Sequence, residues 1–278
     1  MTVYHRIIVS ITSFLIACAL GAQNRTSSQM YELPTYSGEP FFYSAYTVQF
    51  NTVTNIPDWV AWKLDLNRVS NNNIFSREAF RDDPTLQQRS PHSFEYNHTS
   101  YDRGHMCPAN DCPSGKMAIE ASYMSNVCPQ SRYLNEHSCW RTLEEKCKTW
   151  VADGHFEVLY IICGPFPDLY EKYIVTSEKT IAVPKRFYKA IIGKKPNSGI
   201  LYGIAFIFSQ KGYFTYTTID NLELLIKKDL FFQIPSRKQR KAEKMLPTPQ
   251  YWPHLEVFSM SQDKRKCALR LEDFLQSY

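Results

Sequence analysis

Three runs of apolar, β-branched and aromatic residues crowd the second half of the chain: "HFEVLYIICG" (155–164), "RFYKAIIG" (186–193) and "ILYGIAFIFS" (200–209). Each has the length and composition of a buried strand, so the three together read as the core of a sheet. Earlier, "FFYSAYTVQF" (41–50) and "WVAWKLDL" (59–66) alternate aromatic and β-branched residues and also read as strands. Helical spacing falls between the two strand groups, at 116–126 and at 139–154, where Gly154 ends the second helix. A further helix is predicted over 218–235, opening on capping residues. Residues 70–84 read as a polar loop. Strands grouped around an inserted helical region imply one α+β domain rather than strand–helix–strand alternation. With 278 residues, 44% hydrophobic and 14% aromatic, the chain can fill such a core, which excludes disordered and fibrous classes.

The N-terminus carries a second signal. His5 and Arg6 precede the apolar run "IIVSITSFLIACALGA", which ends in small residues near Ala22. That is the pattern of a secretory signal, and the run is short for a membrane span of about 20 residues. The sequence therefore predicts a signal peptide over 1–22, a mobile polar leader over 23–40 and a single domain over 41–278, exported and without an integral membrane span. "LIAC" also matches a lipoprotein cleavage box, with anchoring through Cys18 as the alternative. Seven cysteines follow Cys18, so at least one stays unpaired within the chain. If Cys139 and Cys147 share a helix, roughly 12 Å of rise separates them, too far to bridge. A net charge of +5 is compatible with a polyanionic partner and decides nothing alone.

Residues 101–112, "YDRGHMCPANDC", concentrate an acid, an arginine, a glycine, a histidine and two cysteines. His105, Cys107, Cys112 and Cys128 offer four zinc ligands, but the tight C-x2-C pairing of structural zinc sites is missing. A second stretch, "MSNVCPQSRYLNEHSCWRTLE" (124–144), changes the reading. Together the two resemble the DNA/RNA non-specific endonuclease family, the sugar-non-specific nucleases of the ββα-metal type. The family's D-R-G-H, S-N-x-x-P-Q, L-N and W-x-x-L-E blocks stand in order as Asp102–His105, Ser125–Gln130, Leu134–Asn135 and Trp140–Glu144. "WVAWKL" and "FRDDPTL" upstream, and "YIICGP" and "VPKRFYKAII" downstream, resemble further family segments, so the resemblance spans roughly residues 41–235.

The resemblance implies a central antiparallel sheet, flanking helices and a ββα-metal element carrying the site. It implies cleavage of phosphodiester bonds in DNA and RNA with little sequence preference, dependent on Mg²⁺ or on Mn²⁺ in its place. His105 matches the general base, a role that suits an imidazole titrating near working pH. Asn135 matches the metal ligand; Mg²⁺ takes oxygen ligands and keeps several waters, so one amide oxygen can suffice. Asn126 would orient the site. Arg103 would grip phosphate oxygens with its fork, an ion pair with Asp102 being the structural alternative. Asp102 would orient its neighbours, and Gly104 would allow a tight bend or close approach to a ligand. Arg77 lies one position off the family's upstream arginine and is the other substrate-binding candidate.

Glu144 matches the acid that holds metal-bound water, but Asn135 to Glu144 spans nine residues where the family usually has eight. In one unbroken helix nine residues turn about 180° and eight about 80°. The extra residue must fall ahead of the helix or form a bulge, and Glu145 is the rival. Cys107 and Cys128 flank blocks that the resemblance brings together, so a disulfide between them competes with Cys107–Cys112. The basic cluster "SRKQRKAEK" (236–244) is either a nucleic-acid contact or a solvated segment. The alternative function is a non-catalytic nucleic-acid-binding or structural protein on this fold; the intact His105 and Asn135 argue against it.

Overall fold

The structure, a computed structural model, describes residues 30–70, 79–167, 169–258 and 269–277. The signal peptide and Cys18, the first part of the leader (23–29), Arg77 and Cys267 lie outside the described residues. In order, the elements are β1 (Phe41–Phe42), β2 (Thr47–Asn51), β3 (Ile56–Asp65), α1 (Leu66–Ser70), β4 (Tyr101–His105), α2 (Gly115–Ala121) and β5 (Val127–Ser131). There follow α3 (Cys139–Ala152), β6 (Val158–Pro165), β7 (Tyr170–Val175), β8 (Thr180–Pro184), β9 (Arg186–Lys194) and β10 (Leu201–Ser209). The chain closes with β11 (Phe214–Thr217), α4 (Ile219–Ile226), α5 (Ser236–Glu243) and α6 (Leu271–Ser277).

The three apolar runs become β6, β9 and β10 at the heart of an antiparallel seven-stranded sheet ordered β1-β2-β3-β6-β9-β10-β11. They are continuously apolar because both faces of the sheet are covered. One face aligns Trp62, Ile161, Ile191 and Ile204 in a row beside Val60, Cys163, Lys189 and Phe206. Against it lies α3, whose Trp140 ring packs 5.2 Å from Phe208 and 5.9 Å from Phe187. The other face carries smaller residues, among them Ala61, Ala190, Gly203 and Ala205. There α4 and α5 settle directly on the backbone: a Cβ at Gly203 would stand 2.5 Å from the Ala242 carbonyl oxygen and 2.9 Å from Ile219 Cδ1. The α+β expectation with a central antiparallel sheet and flanking helices holds.

Several boundaries move. The leader expected over 23–40 is corrected from Tyr31 onward: Tyr31 packs 5.4 Å from Tyr160, Leu33 is buried, and Thr35 N donates to Asp229 O. The helix expected over 218–235 ends at Ile226, where Lys227 turns left-handed at φ 55°. The segment 116–126 divides into α2 and a 3-10 turn, Met124–Asn126. The basic cluster is α5, its arginines and lysines exposed. Among the described residues no helix is long and apolar enough to cross a membrane.

Candidate active site

Strands β4 and β5 pair antiparallel as a two-stranded ribbon outside the main sheet, with Asp102 opposite Gln130, Gly104 opposite Cys128 and His105 opposite Val127. The ribbon docks on the α3 side of the sheet, where the Cys163 thiol donates to Met106 O at 3.2 Å. Gly104 serves close approach, though of a side chain rather than a ligand: an added Cβ would stand 2.1 Å from Gln130 Oε1. Gln130 is fully buried, and its amide atoms have no hydrogen-bond partner among the described residues.

His105 ends β4 half-buried, its ring 4.7 Å from that of Phe80. Phe80 also lies 5.9 Å beneath the Arg103 guanidinium, and Tyr96 5.8 Å from it, so two aromatic rings support the cation. Arg103 does not pair with Asp102. Its Nε donates to Ser93 O at 2.9 Å and its Nη2 to Asn97 Oδ1 at 2.6 Å. Nη1 makes no hydrogen bond among the described residues, so the guanidinium is held in place with one edge to spare.

Asn126 is wholly buried and spends its amide on backbone. Its Oδ1 accepts from Cys107 N at 2.9 Å; its Nδ2 donates to Cys107 O at 2.9 Å and Ala121 O at 2.8 Å. It fixes the chain two residues beyond His105. Asp83, which sequence reasoning passed over inside "FRDDPTL", ties that segment to the same block. It accepts from Tyr43 Oη at 2.6 Å, from Thr85 N at 2.9 Å and from Ser125 Oγ.

After β5 the chain makes a π-helical turn over Tyr133–His137, and Ser138 then extends (φ −97°, ψ 179°) and caps α3 by accepting from Trp140 N at 3.1 Å. The extra residue is therefore absorbed ahead of the helix. Asn135 sits in the turn, and its Nδ2 donates to Asp102 Oδ2 at 3.2 Å. That bond orients the amide and leaves Oδ1, a hard neutral oxygen, as the donor for a cation; the donor chemistry fits Mg²⁺.

With the helix started at Cys139, Glu144 and Glu145 part company. Glu145 is exposed and pairs with Arg141 at 3.4 Å. Glu144 turns inward, where its Oε1 meets Lys189 Nζ at 3.2 Å. Lys189, which sequence reasoning did not single out, is buried on β9 with its ammonium 4.0 Å from the Trp140 ring centroid. Burial pushes the Glu144 carboxyl above its usual range and Lys189 draws it partly back. Burial draws Lys189 down, but the Glu144 carboxylate, as opposite charge and hydrogen-bond acceptor, is the main opposing cause, and the ammonium ends above its usual range. Among the described residues Glu144 makes no hydrogen bond to Asn135, Asn126, Arg103 or His105.

The cysteine expectations are corrected. No disulfide joins any two of the six described cysteines; Cys107 Sγ lies 3.9 Å from Cys112 Sγ, while Cys128 faces Gly104 across the ribbon. Asn126 clamps the Cys107 backbone, and the thiol turns to Cys112 rather than Cys128. Nor do His105, Cys107, Cys112 and Cys128 form a metal-ligating group, the one such group among the described residues lying elsewhere.

A strand pair ending in a histidine, closed by an asparagine-bearing turn onto a helix, defines the ββα-metal nuclease class. Residues 25–230 match the DNA/RNA non-specific endonuclease family, and the chain belongs to that family. The mitochondrial nuclease EXOG of Danio rerio is 30% identical over 186 residues, 63% of this chain and 53% of that protein. The chain thus spans about half the length of that relative. Nuclease C1 of Cunninghamella echinulata var. echinulata is 26% identical over 191 residues, 65% of this chain and 75% of its own. The crystal structure of an EndoG/EndoGI complex shares the fold with a TM-score of 0.65 at 22% identity, covering 78% of this chain and 96% of that one.

Proposed function

We propose that the chain is a metal-dependent endonuclease that hydrolyses phosphodiester bonds of DNA and RNA with little sequence preference. The observation that supports this reading best is the Asp102–Asn135 hydrogen bond, which spends the Asn135 Nδ2 donor on the ribbon bearing Arg103 and His105, so that Oδ1 would serve as the cation ligand. Family membership supports the nuclease chemistry. His105 would take the proton of the attacking water, with Phe80 fixing its ring plane. Arg103, supported by Ser93 O and Asn97, would pair with phosphate oxygens through its remaining edge. Asn135 would hold Mg²⁺, which when bound supplies charge stabilisation on the phosphate and leaving oxygen. Glu144 would steady the site's waters from α3, with Lys189 setting its orientation. Arg77 completes the proposal as a substrate contact. Binding through phosphate and sugar accounts for loose specificity.

We also propose export, on the strength of the positive, apolar and small-residue pattern over 1–22. The mitochondrial relatives make import into that organelle the competing address, and fractionation of cells expressing the tagged chain separates the two. For the activity, purified protein is incubated with plasmid and with RNA, with and without EDTA. Cleavage of both that EDTA abolishes, and that His105→Ala lowers by about 10²–10⁴-fold, is the expected result. Metal-independent cleavage, or near-wild-type turnover in the variant, refutes it.

A further inference from the structure

On the sheet face away from the ribbon, Glu223 of α4, Asp229 of the following loop and Glu243 of α5 each place one carboxylate oxygen within 4.8 Å of the others. An oxygen shell around calcium, at about 2.3–2.6 Å per ligand, is itself about 4.6–5.2 Å across. In a chain of net charge +5 no lysine or arginine among the described residues pairs with any of the three. Arg237, Lys238, Arg240 and Lys241 of α5 all face solvent while Glu243 turns inward. Glu243 is only 4% exposed, and its buried Oε1 has no hydrogen-bond partner among the described residues. The other two acids each receive a donor that sets their direction: Leu230 N to Glu223 Oε1 at 2.6 Å, and Gln239 Nε2 to Asp229 Oδ1 at 2.7 Å. Neutral donors of this kind orient carboxylates without neutralising them.

We propose that Glu223, Asp229 and Glu243 form a second cation site, separate from the catalytic one, that takes a divalent ion of calcium's size and oxygen preference. Three carboxylates in one place suit a hard divalent cation, and calcium tolerates the irregular geometry that a helix, a loop and a second helix supply. Without the ion the crowding is costly. The ion would fasten more than two helices: Asp229 O accepts from both Thr35 N and Thr35 Oγ1, so the N-terminal segment is tied to the same loop.

The test is thermal unfolding of the EDTA-stripped full chain at pH 8.5, with and without calcium chloride. It is run on the wild type, Asn135→Ala, Glu243→Gln and Glu223→Gln. At calcium 100-fold above its Kd, the melting temperature should rise by about 5–10 °C in the wild type and equally in Asn135→Ala, whose catalytic ligand is gone. Neither glutamine variant should respond. Metal-free Glu243→Gln should melt at or above the metal-free wild type, because it relieves a buried charge. If one variant fails to fold, the other and the wild-type response decide. No calcium shift in the wild type and Asn135→Ala, or a shift that survives in both glutamine variants, overturns the proposal. A melt that rises on acidification to pH 6 with no calcium response overturns it in favour of a shared proton. None of these outcomes depends on nuclease activity.

Discussion

Gly104→Ala places a methyl carbon 2.1 Å from Gln130 Oε1, 2.4 Å from its Cδ and 2.5 Å from its Cγ. Ordinary carbon contacts lie near 3.5–4.0 Å, so three atoms of one side chain are overlapped by about 1 Å or more. Gln130 cannot swing away into solvent, being fully buried. The strain must pass into an off-rotamer glutamine or a displaced β4, a cost of about 1–3 kcal/mol. At about 2–4 °C per kcal/mol for a domain of this size, the melting temperature should fall by about 2–12 °C. Turnover should fall as well, since His105 is the next residue on the moved strand. Gln130→Ala opens the space and removes two buried amide atoms that lack partners, each of which costs about 1–3 kcal/mol to bury. On that background Gly104→Ala should cost only a few tenths of a kcal/mol. The assay is a double-mutant cycle of thermal melts at fixed pH and metal concentration, with plasmid cleavage measured on the same four proteins. Coupling of about 1–3 kcal/mol is expected; additivity within about 0.5 kcal/mol refutes the close-approach argument.

Asn135→Ala should weaken cleavage and raise the Mg²⁺ concentration needed for half-maximal rate; an unchanged metal dependence in a Mg²⁺ titration would reduce Asn135 to a partner of Asp102. Glu144→Gln should impair cleavage by about 10–100-fold and Glu145→Gln hardly at all, compared side by side in one assay; a larger loss at Glu145 contradicts the inward turn of Glu144. His92 bonds Asp82 through Nδ1, which raises its pKa against the opposing effect of burial. A raised histidine pKa contributes stability that is present below the unfolded value near 6.5 and lost as pH rises through the folded value. His92→Gln should therefore lower the melting temperature slightly at pH 5.5 and leave it unchanged at pH 8.5, and an equal loss at both would exclude the ion pair.

Much of the site was legible because its parts lie in contiguous blocks. Asp102–His105 pairs with Val127–Gln130 of the second block as one ribbon, and Leu134–Asn135 follows within a few residues. The strands themselves were not legible: "YDRGH" and "VCPQS" are short, polar and carry Gly104 and Pro129, with none of the apolar alternation that marks a half-buried strand. Lys189 escaped notice because a lysine in a strand reads as solvent-facing. Only the register that sets it beside Cys163, and Glu144 brought from 45 residues away, reveal it as buried. The helix expected over 218–235 overruns the observed one because "LIKKDLFFQIP" keeps an apolar rhythm and contains no glycine. Lys227 stops it by taking the left-handed conformation itself, while Glu223 accepts from Leu230 N and closes the loop back. The disulfide expectation joined two cysteines near converging blocks and had no means to foresee that Asn126 holds the Cys107 backbone.

The extended residue Ser138 has a consequence for how a chain of this kind can change over generations. Helix α3 takes its phase from its own cap, so the direction of Glu144 no longer depends on how many residues separate it from Asn135. Glu136 and His137, both exposed, fill the stretch between Asn135 and the cap. A residue gained there widens one turn; a residue lost narrows it toward ordinary helix, and neither rotates the fourteen-residue helix beyond. A change of length at this joint leaves the phase of α3 set by its cap, where the same change inside α3 would swing every downstream side chain by about 100°. The interval of nine is a length variant taken up at this joint, with Asn135 following the ribbon and Glu144 following the sheet.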